Sequence, residues 1–124
     1  MAKFWGSLAA VTILLLASGA AAPPQKSSTG RISEFENDEV RVWKAIVTPH
    51  APLTMHRHDH PRVIVALAGG DMKIVEQSGG SETDHWQTGK AYWLPATKPG
   101  QMHADVNVGS KPIEVMVVEL KKAR

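Results

Sequence analysis

The stretch Met55–Val63, MHRHDHPRV, sets histidines at every second position, His56, His58 and His60, and then places Arg62. In an extended chain residues two apart share a face, so His56 and His58 can turn imidazole nitrogens toward one point. Neutral imidazoles are common metal ligands, and two that converge supply part of a metal centre. A third ligand must come from elsewhere in the chain. His103 is the candidate, because it lies in GQMHADVNV, where His103, Asp105 and Asn107 share a parity. Even spacing puts Arg62 on the face of His56 and His58, with a guanidinium that keeps its proton. His50, in VTPHAP, reads as a loop residue, and His85, beside Trp86, as a surface or edge-strand residue. No serine, cysteine or lysine constellation offers a nucleophile, and the chain has no cysteine at all.

The elements that must position these groups are short. From Arg31 onward the chain is a succession of alternating or continuous β-branched segments closed by Gly, Pro, Asn or Asp, the pattern of an all-β sandwich or barrel. The pattern predicts strands at ISEFE, EVRVWKAIV, LTMHRH, RVIVAL, MKIVE, TDHWQ, AYWLP, GQMHADVNV and IEVMVVEL. Asn37-Asp38 separates the first two. Gly69-Gly70-Asp71, Ser78-Gly79-Gly80 and Thr88-Gly89-Lys90 read as hairpin turns, which implies antiparallel pairing. Val63–Leu67 and Val115–Val118 are almost purely apolar, so both faces of those strands are expected to be covered. Trp43, Trp86 and Trp93 are expected in the core, with Met72, Met102 and Met116 filling gaps.

With 124 residues and a hydrophobic fraction of 43%, the chain is expected to form one domain. Before it comes a segment of another kind: Lys3, an apolar run over Leu8–Leu16, then ASGAAAPP. This reads as a secretory signal peptide over residues 1–20, cleaved after Ala20 rather than Ala22, with a flexible leader over 21–30. The apolar run is too short to span a bilayer comfortably, so no stable membrane anchor is expected after cleavage. The protein is accordingly expected to be periplasmic or secreted. Loss of Lys3 leaves thirteen basic against twelve acidic residues, a net charge of +1, and the only basic cluster is the terminal KKAR. Nothing in that balance calls for a nucleic-acid or membrane-surface partner.

The histidine regions resemble the two motifs of the cupin family, G(x)5HxH(x)3,4E(x)6G and G(x)5PxG(x)2H(x)3N. His56 and His58 match HxH and Gly69 the closing glycine, while His50 stands at the leading glycine and Arg62 at the glutamate. Gly89, Pro95, Gly100, His103 and Asn107 match the second motif, with three extra residues between Pro95 and Gly100 in PATKPG. HDHPR also resembles the HxHPR of germin-like cupins, a register that would make His58 and His60 the ligands. It puts Val65 at the glutamate and Met72 at the closing glycine, so the first register is better supported.

The resemblance, over about Arg31–Leu120, implies an antiparallel double-stranded β-helix, the cupin or jelly-roll barrel, over residues 31–121. It implies a divalent metal (Fe, Zn, Mn, Ni or Cu) on His56, His58 and His103, with His60 and Asp105 as reserve ligands or outer partners. Arg62 at the carboxylate position leaves three outcomes. It turns outward and leaves a neutral three-histidine set, or it stays inside and pairs with Asp105, Glu114 or an anionic ligand, or the metal is lost. The functional expectation is an exported cupin that binds or acts on a small, anionic molecule through metal and Arg62, with oxygenase-like chemistry. The alternative is a metal-free binding or structural barrel. The resemblance further implies a homodimer through edge strands, with ISEFENDEVRVW as the pairing region.

Overall fold

The computed structural model describes Ala2, residues 19–22 and residues 27–123. The proposed signal peptide, apart from Ala2 and residues 19–20, lies outside the described residues. Nine strands follow in order: β1 (Gly30–Glu36), β2 (Val40–Val47), β3 (Leu53–His56), β4 (Arg62–Ala68), β5 (Gly70–Glu76), β6 (Ser81–Trp86), β7 (Ala91–Leu94), β8 (His103–Asn107) and β9 (Ile113–Leu120). They form two antiparallel sheets, β1-β2-β9-β4-β7 and β3-β8-β5-β6. The described residues are therefore all-β, as the alternation predicts.

Strand β9 shows how the sequence makes this arrangement. Ile113, Val115, Val117 and Glu119 are buried while the residues between them are half-buried, a period of two that turns one face inward. Its register with β2 runs unbroken from Val47↔Ile113 to Val40↔Leu120, and β4 pairs along its other side. The core lies between the sheets, where Trp43, Val47, Ile64, Met72, Trp86 and Ile113 are buried together. Asn107 is fully buried at one end of it. Its Nδ2 donates to Val47 O at 2.9 Å and Lys111 O at 2.7 Å, and its Oδ1 accepts from Gly109 N at 2.9 Å, tying β8 to β2 and to the turn before β9.

Several local expectations need correction. Asn37-Asp38 and Ser78–Gly80 do turn hairpins, the first closed by Asn37 Oδ1 accepting from Glu39 N and Val40 N. Gly69-Gly70 and Thr88–Lys90 instead carry the chain from one sheet to the other. These two links lie against each other: Gly69 N donates to Thr88 Oγ1 at 2.9 Å and Gly89 N to Ala66 O at 2.7 Å. Any Cβ on Gly69 would stand 2.0 Å from Trp86 O, so this glycine answers to close approach. Turn composition marks both uses alike, which is why the sequence does not separate them.

Trp93 is not in the core. It points outward from β7 and is 58% exposed, and Leu67 is 44% exposed, so the outer face of β4 is not fully covered. Met102 and Met116 are half-buried. Strand β3 ends at His56, so His58 is not a strand residue, and β8 begins only at His103.

Candidate metal centre

The end of β3 and the start of β8 meet at the mouth of the barrel, where His56 and His103 are direct register partners. His58 joins them from the segment after β3. The ring centroids are 4.9 Å apart for His56 and His58, 4.6 Å for His56 and His103, and 5.4 Å for His58 and His103. One nitrogen from each ring lies within 4.8 Å of the other two.

The tautomer of His56 is fixed by its backbone. Its Nδ1 sits 2.7 Å from Thr54 O, an acceptor only, so Nδ1 carries a proton and the neutral ring presents its lone pair at Nε2. That Nε2 is buried and has no hydrogen-bond partner among the described residues. A buried acceptor left unpaired costs about 1–3 kcal/mol, and a metal ion is one partner that repays it. Imidazole donors from three converging histidines therefore fit a divalent transition metal.

His58 is held by the loop after β7. Its N donates to Thr97 Oγ1 at 2.9 Å, and Thr97 N donates back to His58 O at 2.8 Å. Thr97 lies in PATKPG, so the segment that departs from the motif spacing is the one that clamps this histidine. The same loop receives Arg62, whose Nη1 donates to Pro95 O at 3.2 Å. Burial pushes the His58 imidazole down to about 2, assisted by Arg62, His56, His103 and Arg31. His103 is lowered chiefly by burial, against the pull of Asp105. Both rings are neutral at physiological pH, the form that binds metal.

Arg62 faces inward and is 9% exposed. Burial lowers it to about 10, while Asp105 and Glu119 oppose that shift, so it remains a cation at neutral pH. Its cross-strand partner is Glu119, and the row Glu36–Arg41–Glu119–Arg62 alternates in charge across four strands. This ladder and Asp105 make a buried guanidinium tolerable here. Glu114, expected as a possible partner, faces outward near the far end of the sheet, opposite Ile46 and Ala68. No carboxylate among the described residues lies in ion-pair contact with Arg62.

Asp105 projects into the histidine set. Its Oδ2 is 3.5 Å from His56 Nε2 and its Oδ1 is 3.7 Å from His103 Nε2. His60 stands apart from the three rings, half-buried, beside a second cavity it shares with Arg57 and Asp59. The ring set thus follows the first register, His56 with His58. His50 lies in the β2–β3 loop with φ 57°, and His85 is surface-exposed beside Asp71.

Behind the histidines a cavity of about 300 Å³ runs between the sheets. Its lining includes the polar Arg62, His58 and His103 and the apolar Ile64, Met72 and Val117. Arg31 also lines it, an arm not foreseen from the sequence. Its guanidinium lies 5.7 Å from the centroid of the Trp43 ring, which is itself parallel to the His58 ring at 6.4 Å. The available signal was parity, since Arg31 is the register partner of inward-facing Ala45.

No protein-family model and no curated protein matches the chain. Solved structures do. A cupin domain from Bordetella pertussis is 22% identical with a TM-score of 0.67, the match covering 78% of this chain and 97% of that one. A double-stranded β-helix protein from Klebsiella pneumoniae is 21% identical with a TM-score of 0.57, covering 82% and 85%. An RmlC-like cupin from Methanocaldococcus jannaschii is 12% identical with a TM-score of 0.56, covering 77% and 84%. The fold is the double-stranded β-helix of the cupins, with a histidine cluster able to bind metal at its mouth.

Proposed function

We propose that this cupin-fold domain is an exported metal-dependent protein that takes a small anionic molecule into its barrel. His56, His58 and His103 hold a divalent ion, and Asp105 supplies the negative charge that the glutamate supplies in the family motif. The observation that carries this reading is the buried Nε2 of His56, without a hydrogen-bond partner among the described residues, within a set of three converging imidazoles. A metal so held supplies Lewis acidity or, if it is iron, a place for oxygen to bind, which is the basis for expecting oxygenase-like chemistry. The chain's own residues bind and orient. Arg62 offers guanidinium N–H groups to a carboxylate or other oxyanion, Arg31 adds a second positive charge on the same cavity, and the apolar lining of Ile64, Met72 and Val117 disfavours water beside them.

The test is Arg62→Glu, assayed for both ligands. The variant is expected to lose binding of small carboxylates, titrated into the metal-loaded protein, and to bind Fe²⁺ or Mn²⁺ more tightly, because it restores an acid beside the histidines. Unchanged affinity for both carboxylate and metal would contradict the assigned role of Arg62.

A further inference from the structure

One wall of the barrel cavity carries acids where an antiparallel sheet ordinarily turns apolar side chains inward. On β6 the residues that share a face with buried Trp86 are Glu82 and Asp84, because side chains two apart in a strand point the same way. Their register partners on β5 agree: Asp84 is opposite Met72, which is buried, and Glu82 is opposite Ile74, which packs against the core. Glu76, two residues beyond Ile74 on β5, continues that face opposite His103. All three carboxylates line the cavity that Arg62 and Arg31 enter from β4 and β1. None of the three has an ion-pair partner among the described residues, and neither has Lys98, the cation that the loop after β7 adds to the lining.

Acids on a wall would not by themselves call for a ligand, since water solvates them. Here the same cavity also receives Arg62, which is 9% exposed and likewise has no carboxylate in ion-pair contact. Charges of opposite sign thus open into one space without meeting each other. Separation is the reason. Glu82 lies two strands from Asp105, through Ile74, and strands at about 4.8 Å spacing put the acidic wall roughly 10 Å from the carboxylate beside the histidines.

We propose that the ligand of this cavity is a zwitterion, an oxyanion that engages the metal and Arg62, joined by a short apolar chain to a protonated amine that Glu82 and Asp84 receive. This names the substrate class of the site described above and rests on that reading of it. The charged lining consists of Arg31, Arg62 and Lys98 against Glu76, Glu82, Asp84 and Asp105, so it is not a basic pocket built for anions alone. A simple carboxylate is matched at one end and meets unpaired acids at the other, whereas a molecule with one charge of each sign is matched at both. Between the two ends lie Ile64, Met72, Ile74 and Trp86, apolar surface suited to a methylene chain.

Calorimetric titration of the Zn²⁺-loaded full chain with 6-aminohexanoate and with hexanoate tests this. The probes share a carboxylate and a chain length suited to a gap of roughly 10 Å less the reach of the acidic side chains, and they differ in the amine. The wild type is expected to bind 6-aminohexanoate at least about ten-fold more tightly than hexanoate. In the double variant Glu82→Gln, Asp84→Asn that preference is expected to vanish, with hexanoate bound no more weakly than by the wild type. Glu82→Gln alone, at an exposed position, is expected to lose part of the preference and serves if the double variant fails to fold. Hexanoate bound by the wild type as tightly as 6-aminohexanoate overturns the proposal while the anion reading stands, and so does a preference that survives in both variants. If neither probe binds, or if Arg62→Glu leaves hexanoate affinity unchanged, the anion reading falls and the zwitterion falls with it.

Discussion

The molecule contains two histidine–aspartate constellations on paired strands, and only one has the makings of a site. On β5 and β6, Asp71 and His85 are register partners joined by a hydrogen bond, with side chains 54% and 73% exposed. At the barrel mouth Asp105 stands among His56 and His103 at 14–15% exposure, with His58 completing the set. The residue types are the same. The exposed pair satisfies itself and leaves nothing for a ligand to complete, whereas the buried set retains an unpartnered nitrogen and depressed imidazoles. Desolvation and convergence, more than composition, make histidines able to bind a metal.

Acid should separate the two constellations most widely. His58 titrates near 6.5 when unfolded and is held down to about 2 in the fold. Between those values the unfolded chain binds the extra proton, so metal-free protein is fully stabilised above about pH 6.5 and loses stability as pH falls toward 2. The His58 contribution is at most about 1.4 kcal/mol per pH unit. Denaturant unfolding of wild type and His58→Ala at pH 7 and pH 4 checks this: the variant should show the shallower loss. Equal slopes would mean that the ring is not protected.

A smaller effect probes the charge. Asp105→Asn keeps the shape and removes the carboxylate beside His56 and His103, so metal affinity should fall about 10–100-fold with the fold intact. An affinity unchanged in a metal titration would reduce Asp105 to a bystander, like Asp71. Smaller again is Thr97→Val, which removes the Oγ1 that accepts from His58 N. Metal affinity is expected to fall about ten-fold, with unfolding stability reduced by about 1 kcal/mol. If stability falls but metal affinity does not, Thr97 supports the loop without positioning the ligand.

Much of this was legible in the residues. Period-two alternation located all nine strands, because half-buried sheets impose it directly on the sequence. His56, His58 and His103 were found by parity and motif spacing, and they do converge. Three things were hidden. Gly69 and Gly89 have turn chemistry that serves a crossover as well as a hairpin, so sheet membership could not be read locally. Trp93 has core composition on an outward parity, and only the topology shows that no described element covers that face. Thr97 reaches the site through a loop, a contact that leaves no periodic trace, and the inward parity of Arg31 becomes readable only once β1 is paired with β2.

The proposal stands or falls on whether the three converging histidines, and not His85 of the exposed pair, hold a metal. Its most direct test is the metal content of protein purified without an affinity tag, for wild type, His58→Ala and His85→Ala side by side. The account predicts about one equivalent of a divalent metal in wild type and His85→Ala and a loss of that metal in His58→Ala. Folded wild-type protein that is metal-free and takes up none on titration, or a His58→Ala variant that keeps its full equivalent, would contradict it.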